Sequence, residues 1–269
     1  MTLSRESASL DGRWALVTGA ARGIGAATAT ALAAFGADLA ICDRDADGLA
    51  TVAAEIEGMG RQAVSGVLDV RSAPDVEAFV ARLSRLDVLV NNAGGGFHAP
   101  FLDVSAKGQS ALVDENFTSV TTFVRACVPL LSAHGMGSII NVTSVEAFRA
   151  APGFGVYAAM KAAVEQLTKT LALELCDRRI RVNCIAPDAI PTPGDADLAA
   201  AVHAGSGAGA DDYGWKIPLG KGTPDDCAGV AVFLACDLSM FVTGSTVHVD
   251  GGSDAASGWR RRPGGDWEP

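Results

Sequence analysis

Seven short apolar runs alternating with six alanine-rich stretches of helical pattern constrain this 269-residue chain more than any other feature of its sequence. The runs fall at 14–18, 38–42, 63–68, 88–90, 138–142, 181–185 and 246–249; the helical stretches fall at 22–35, 46–58, 74–84, 109–133, 155–176 and 224–236. Strands this apolar have no polar face to turn to water. Their alternation with helices predicts a doubly wound α/β domain, a parallel sheet of about seven strands with helices on both faces. No compositional shift divides the chain, so residues 1–269 are read as one domain. The Gly-, Ala- and Asp-rich stretch at about 191–217 is read as a lid or insertion because a strand-forming segment still follows it, and 253–269 as a C-terminal extension.

Composition narrows the partners. A formal net charge of -10 argues against nucleic acid and anionic membrane, both of which are bound through basic surfaces. No apolar run is long enough to span a bilayer, and residues 1–12 carry Arg5, Glu6 and Asp11 without a leader pattern. Cys42, Cys127, Cys176, Cys184, Cys227 and Cys236 lack paired CxxC spacing. They read as reduced thiols of a cytoplasmic protein, with neither disulfide nor metal expected. A small-molecule substrate is the partner this leaves.

Thr18-Gly19-Ala20-Ala21-Arg22-Gly23-Ile24-Gly25 directly follows the first strand and opens the first helix. Small residues there let the backbone approach a pyrophosphate at the helix's positive end. By itself the pattern fits a tight strand-to-helix turn equally well. Asp43 closes the second strand about 20 residues further on, where an acid can hold the adenosine ribose hydroxyls. Its charge would repel a 2′-phosphate, so NAD is preferred over NADP, although Arg22 and Arg44 could each pair with such a phosphate. Asp69 and Val70 follow the third strand, and Asn91, Asn92, Ala93 and Gly94 the fourth, at strand ends where open α/β sheets bind ligands. On residue type alone the two asparagines fit turn formers as well as cofactor contacts. Asn116, on a mostly apolar helix, could bond a backbone group or hold a water.

Ser144 ends the fifth strand, and Tyr157 and Lys161 follow four residues apart. Four residues is just over one helical turn, which places the phenol and the ammonium on one face. A tyrosine titrates near pH 10, but a fixed cation beside it favours the phenolate and makes it a usable base. Ser144, folded back beside the phenol, could hold a carbonyl or alcohol oxygen.

In this order, with thirteen residues from Ser144 to Tyr157 and Val249-Asp250-Gly251-Gly252 closing the pattern, these motifs resemble the short-chain dehydrogenase/reductase family over roughly residues 10–252. The resemblance implies a Rossmann fold, assembly as a homotetramer or homodimer through the helices at 109–133 and 155–176, and oxidoreduction at a CH–OH group. It implies that Tyr157 is the general acid or base, that Lys161 lowers its pKa and binds the nicotinamide ribose, that Ser144 orients the substrate oxygen and that Asn116 holds a relay water. It assigns cofactor contacts to Gly19, Arg22, Gly23, Ile24, Gly25, Asp43, Arg44, Asp69, Val70, Asn91, Asn92, Ala93, Gly94, Tyr157 and Lys161, and to Pro187, Asp188, Ile190 and Thr192 of a nicotinamide-side loop. Asp188 departs from the family, which usually has glycine there.

The resulting expectation is an NAD(H)-dependent enzyme that interconverts a secondary alcohol and a ketone on an apolar substrate: lipid-like, steroid-like, alicyclic or hydroxyacyl. The expected pocket wall comprises Gly95, Gly96, Phe97, His98, Val145, Glu146, Phe148, Phe154, Tyr213, Trp215 and Ile217. The alternatives are an NADPH-dependent carbonyl or 3-oxoacyl thioester reductase and, in another class, a non-catalytic NAD-binding sensor or scaffold. The tail, with Trp259, Arg260, Arg261, Arg262 and Trp267, reads either as a disordered extension, from its glycine, proline and polar content, or as a cover for a neighbouring subunit's site.

Overall fold

The computed structural model describes residues 3–188, 190–192, 217–261 and 265–268. Its main sheet contains β1 (Trp14–Thr18), β2 (Asp38–Asp43), β3 (Ala63–Val67), β4 (Val88–Asn91), β5 (Gly137–Val142), β6 (Ile180–Pro187) and β7 (Thr246–Val249), in the spatial order β3-β2-β1-β4-β5-β6-β7. Every neighbouring pair is parallel. The helices are α1 (Gly23–Ala34), α2 (Ala46–Gly58), α3 (Ala73–Val80), α4 (Ala106–Val113), α5 (Ser119–Ala133), α6 (Gly155–Glu174) and α7 (Pro224–Ala235).

Successive side chains of a strand leave opposite faces, and β1 shows how that builds two cores. Ala15 and Val17 pack with Ala29 and Leu32 of α1, Leu49 and Ile56 of α2, and Ala231 of α7. Leu16 packs on the other face with Phe79 of α3, Phe123 and Val124 of α5, and Val164 of α6. The strand order reverses between β1 and β4, where Val17 sits opposite Val90. The loops leaving these two strands diverge to opposite faces and open a crevice at their C-terminal ends.

The segment expected as one helix at 109–133 differs. It begins at Ala106, where the Ser105 hydroxyl accepts from the Gly108 N–H at 3.1 Å, and a π-helical turn at Asp114–Thr118 separates α4 from α5. Such turns insert an extra residue and re-aim a side chain, here Asn116. The lid expected at 191–217 lies largely outside the described residues, Tyr213 and Trp215 included; Ile217 is buried. In the tail, a helical turn at Ser253–Ala256 precedes a two-residue antiparallel pairing of Arg260–Arg261 with Trp267–Glu268, and Arg262 lies outside the described residues. The six cysteines are free thiols, and only Cys176 is exposed. Among the described residues no helix is long and apolar enough to cross a membrane.

Candidate active site

A cleft of about 840 Å³ runs along the C-terminal ends of the strands. Its dinucleotide half is bounded by Gly19, Arg22, Gly23 and Ile24 of the β1–α1 turn, Asp43 and Arg44 after β2, Asp69 and Val70 after β3, and Asn92, Ala93 and Gly94 after β4. Thr18 locks two of these loops together: its hydroxyl oxygen accepts from the Asn92 and Ala93 N–H groups at 3.0 and 2.9 Å. In return, Asn92 Nδ2 donates to the Thr18 and Gly19 carbonyls at 3.0 and 3.1 Å. Asp43 accepts from the Ala21 and Asp45 N–H groups at 3.1 and 3.0 Å, one per carboxylate oxygen, which aims it while leaving lone pairs for a diol. Asp69 is held by Arg71 at 2.9 Å, and that hydrogen bond is the main cause that keeps its carboxyl below the usual range. A helix N-terminus of close-packed small residues, flanked by an oriented acid, fits a dinucleotide.

Two residues expected to contact the cofactor do not line this cleft. Asn91 turns inward and donates to Asn141 Oδ1 at 2.8 Å, because it is the last residue of β4 and pairs with Asn141 of β5. Gly25 lies beneath the turn: a Cβ added there would come 2.0 Å from the Gly19 carbonyl oxygen, so its part is to let α1 pack against the loop.

The other half of the cleft gathers Ser144, Tyr157 and Lys161, with Asn116 just behind. Lys161 is buried and donates from Nζ to the Val142 carbonyl at 3.0 Å, while its own backbone carbonyl accepts from the Thr143 hydroxyl at 2.7 Å. Its ammonium stands 5.5 Å from the centroid of the Tyr157 ring. Burial pushes the Lys161 pKa down to about 8, with Cys184 and Glu115 pulling the other way. Asn116 Nδ2 donates to the Gly95 and Leu112 carbonyls at 2.8 and 3.0 Å, and its Oδ1 accepts from the Gly95 N–H at 3.3 Å. A Cβ at Gly94 would sit 2.8 Å from Asn116 Oδ1 and 3.1 Å from Lys161 Nζ, so only glycine brings this loop so close to both. Ser144 caps a short 3₁₀ turn (Val145–Ala147), its Oγ accepting from the Glu146 N–H at 3.2 Å.

Residues 19–254 match the family model described as enoyl-(acyl carrier protein) reductase. The chain belongs to the short-chain dehydrogenase/reductase family. It is therefore an NAD(P)-dependent oxidoreductase. It is 37% identical over 248 residues to the 3-oxoacyl-[acyl-carrier-protein] reductase FabG of Thermotoga maritima, covering 90% of this chain and 98% of that one. Among solved structures it resembles a gluconate 5-dehydrogenase from Burkholderia cenocepacia in complex with NADP and tartrate, at TM-score 0.85 and 36% identity over 93% of this chain and 98% of that one. It also resembles the carveol dehydrogenase of Mycobacterium avium in complex with NAD, at TM-score 0.85 and 30% identity over 91% and 98%.

Within this short-chain dehydrogenase/reductase, the departure at Asp188 is accommodated without strain. The only non-glycine residues with positive φ among those described are Arg179 and Ser257, so the Asp188 backbone is open to any L-residue. Its N–H donates to the Val249 carbonyl at 3.2 Å, and its carboxylate accepts from Arg149 at 3.1 Å. Pro187, Ile190 and Thr192 line the cleft with it. Of the expected pocket wall, Gly95, Gly96, Phe97, Glu146 and Phe154 line the cleft; His98, Val145, Phe148 and Ile217 do not. His98 packs edge-on against Phe154, and Phe148 lies 4.7 Å from the His248 ring. Sequence reasoning missed Arg149, whose only signal was an unassigned arginine between two acids of the expected site.

Proposed function

We propose that this enzyme uses NAD(H) to interconvert a neutral, largely apolar secondary alcohol and its ketone, with Tyr157 as general acid and base. The observation that carries the reading is the buried Lys161 ammonium 5.5 Å from the Tyr157 ring beside the cleft. With a pKa of about 8 the lysine is mostly protonated at neutral pH, and a fixed cation there favours the phenolate. A bound nicotinamide supplies the hydride acceptor for oxidation or the donor for reduction. Tyr157 takes the hydroxyl proton as phenolate in the first direction and returns it as phenol in the second, Ser144 orients the oxygen, and Asn116 holds the Gly95 strap and a relay water.

Two features support the substrate class. Phe97, Ala111, Leu112 and Phe154 make the wall beside Tyr157 apolar. At that end Glu146 and Asp188 share the Arg149 guanidinium, which leaves the three with one negative charge in excess and favours a neutral alcohol over a carboxylate such as gluconate. A cyclic alcohol of the carveol kind fits better. Asp43 supports NAD over NADP, as its charge opposes a 2′-phosphate. Assembly as a homodimer or homotetramer through α5 and α6, and a cytoplasmic location, belong to the same reading.

The test is a panel of cyclic and aliphatic secondary alcohols, hydroxysteroids, gluconate and 3-hydroxyacyl thioesters, each with NAD and NADP. Turnover of neutral alcohols with NAD is expected, and Tyr157→Phe should keep cofactor binding while lowering turnover by about 10²- to 10⁴-fold. Preference for gluconate, or full turnover by the phenylalanine variant, overturns the reading. A second reading, NADPH-dependent reduction of a carbonyl or 3-oxoacyl thioester, is favoured by Arg22 and Arg44 beside Asp43 and by the likeness to FabG. The NADP arm of the panel separates the two.

A further inference from the structure

We propose that Arg149 is a positioning residue for the cofactor side of the cleft: it neutralises Asp188 and ties the 187–192 loop to the turn that carries Ser144. The guanidinium joins three segments that leave neighbouring strands. Its Nη2 donates to Glu146 Oε1 at 2.9 Å and to Asp188 Oδ2 at 3.1 Å, while Nη1 donates to the Ser253 hydroxyl at 2.8 Å. Glu146 lies in the turn that Ser144 caps after β5, Asp188 opens the loop after β6, and Ser253 follows β7. Ser253 is itself placed by its N–H donating to the Asp250 carbonyl at 3.1 Å.

The energetics make this joint consequential. The Asp188 side chain is only 7% exposed, whereas that of Arg149 is 33% exposed, so the acid bears most of the burial and the arginine spans from solvent to reach it. A carboxylate this buried is costly when unpaired, and removing one partner of a buried pair costs more than the pair contributes. Without Arg149, the Asp188 and Glu146 carboxylates lose the cation that both of them bond through Nη2. Turning Asp188 outward relieves that, and it shifts the loop whose Ile190 and Thr192 line the cleft. Loss of Arg149 therefore appears first in cofactor affinity, and it disappears when the charge of Asp188 is removed as well.

The inference rests on reading the 187–192 loop as a cofactor wall. The wild-type protein is first titrated with NADH and NADPH by fluorescence. A preference for NADPH counts against the proposed NAD function but leaves this test intact, since the tighter cofactor is then used. Arg149→Met, Arg149→Lys, Asp188→Asn and the Arg149→Met/Asp188→Asn double variant are titrated alongside, with thermal unfolding recorded for each. Arg149→Met should weaken cofactor binding by about tenfold or more, Arg149→Lys by less, and the double variant should bind within about threefold of Asp188→Asn alone. Should Arg149→Met not fold, a folded, cofactor-binding double variant supports the coupling and an unfolded one overturns it. Unchanged affinity in Arg149→Met, or single losses that simply multiply in the double variant, also overturns it.

Discussion

The Lys161 ammonium stands 5.5 Å from the centroid of the Tyr157 ring, one helical turn away on α6, and is held there by the Val142 carbonyl at 3.0 Å. The same burial that aims it also penalises its charge, lowering its pKa from 10.5 to about 8. Between these two values the unfolded chain binds more protons at this residue than the folded one, so its contribution to stability rises with pH across that window. Lys161→Met lacks the effect. Chemical unfolding of both proteins from pH 7 to 10.5 should show the wild type gaining on the variant by about 3 kcal/mol at most. A constant difference would contradict the burial argument.

Asn116 is the second point at which the site depends on one side chain. Its amide satisfies the Gly95 carbonyl and N–H and the Leu112 carbonyl at once. Asn116→Ala removes these three hydrogen bonds. A loss of about 1–3 kcal/mol in urea unfolding is expected, together with reduced turnover. Turnover equal to wild type would show that the Gly95 strap needs no such tether.

Gly25→Ala tests the packing of α1 under the turn. The new methyl would lie 2.0 Å from the Gly19 carbonyl oxygen and 2.5 Å from Asn92 Nδ2, so the helix N-terminus must move off the loop. Destabilisation of about 1–3 kcal/mol and loss of cofactor affinity are expected in thermal unfolding and cofactor titration. Gly58→Ala is the control: nothing lies within 4 Å of its added Cβ, and it should leave cofactor affinity as it was.

Much of the frame was legible because strand and helix periodicities are local. The seven apolar runs coincide with the seven strands of the main sheet to within a few residues. The π-helical turn was not legible, since the contact in which its Asn116 takes part, with Gly95, spans 21 positions. The adjacent Asn91 and Asn92 show the same limit. Identical side chains in one motif take opposite roles because β4 pairs Asn91 with Asn141 of β5, while the chain beyond the strand end turns Asn92 towards Thr18.

The sequence by itself determined the reaction class. The glycine turn, Asp43, Ser144 and the Tyr157–Lys161 pair are defined by residue type and by spacing along single elements, and the α/β alternation delivers all of them to one end of the sheet. Only the tertiary structure decided what surrounds that chemistry. Arg149 meets Asp188 across 39 positions and Ser253 across 104, because the ends of β5, β6 and β7 are neighbours in space. Which buried charge is neutralised, and by which side chain, follows from strand order and burial, which no local pattern records.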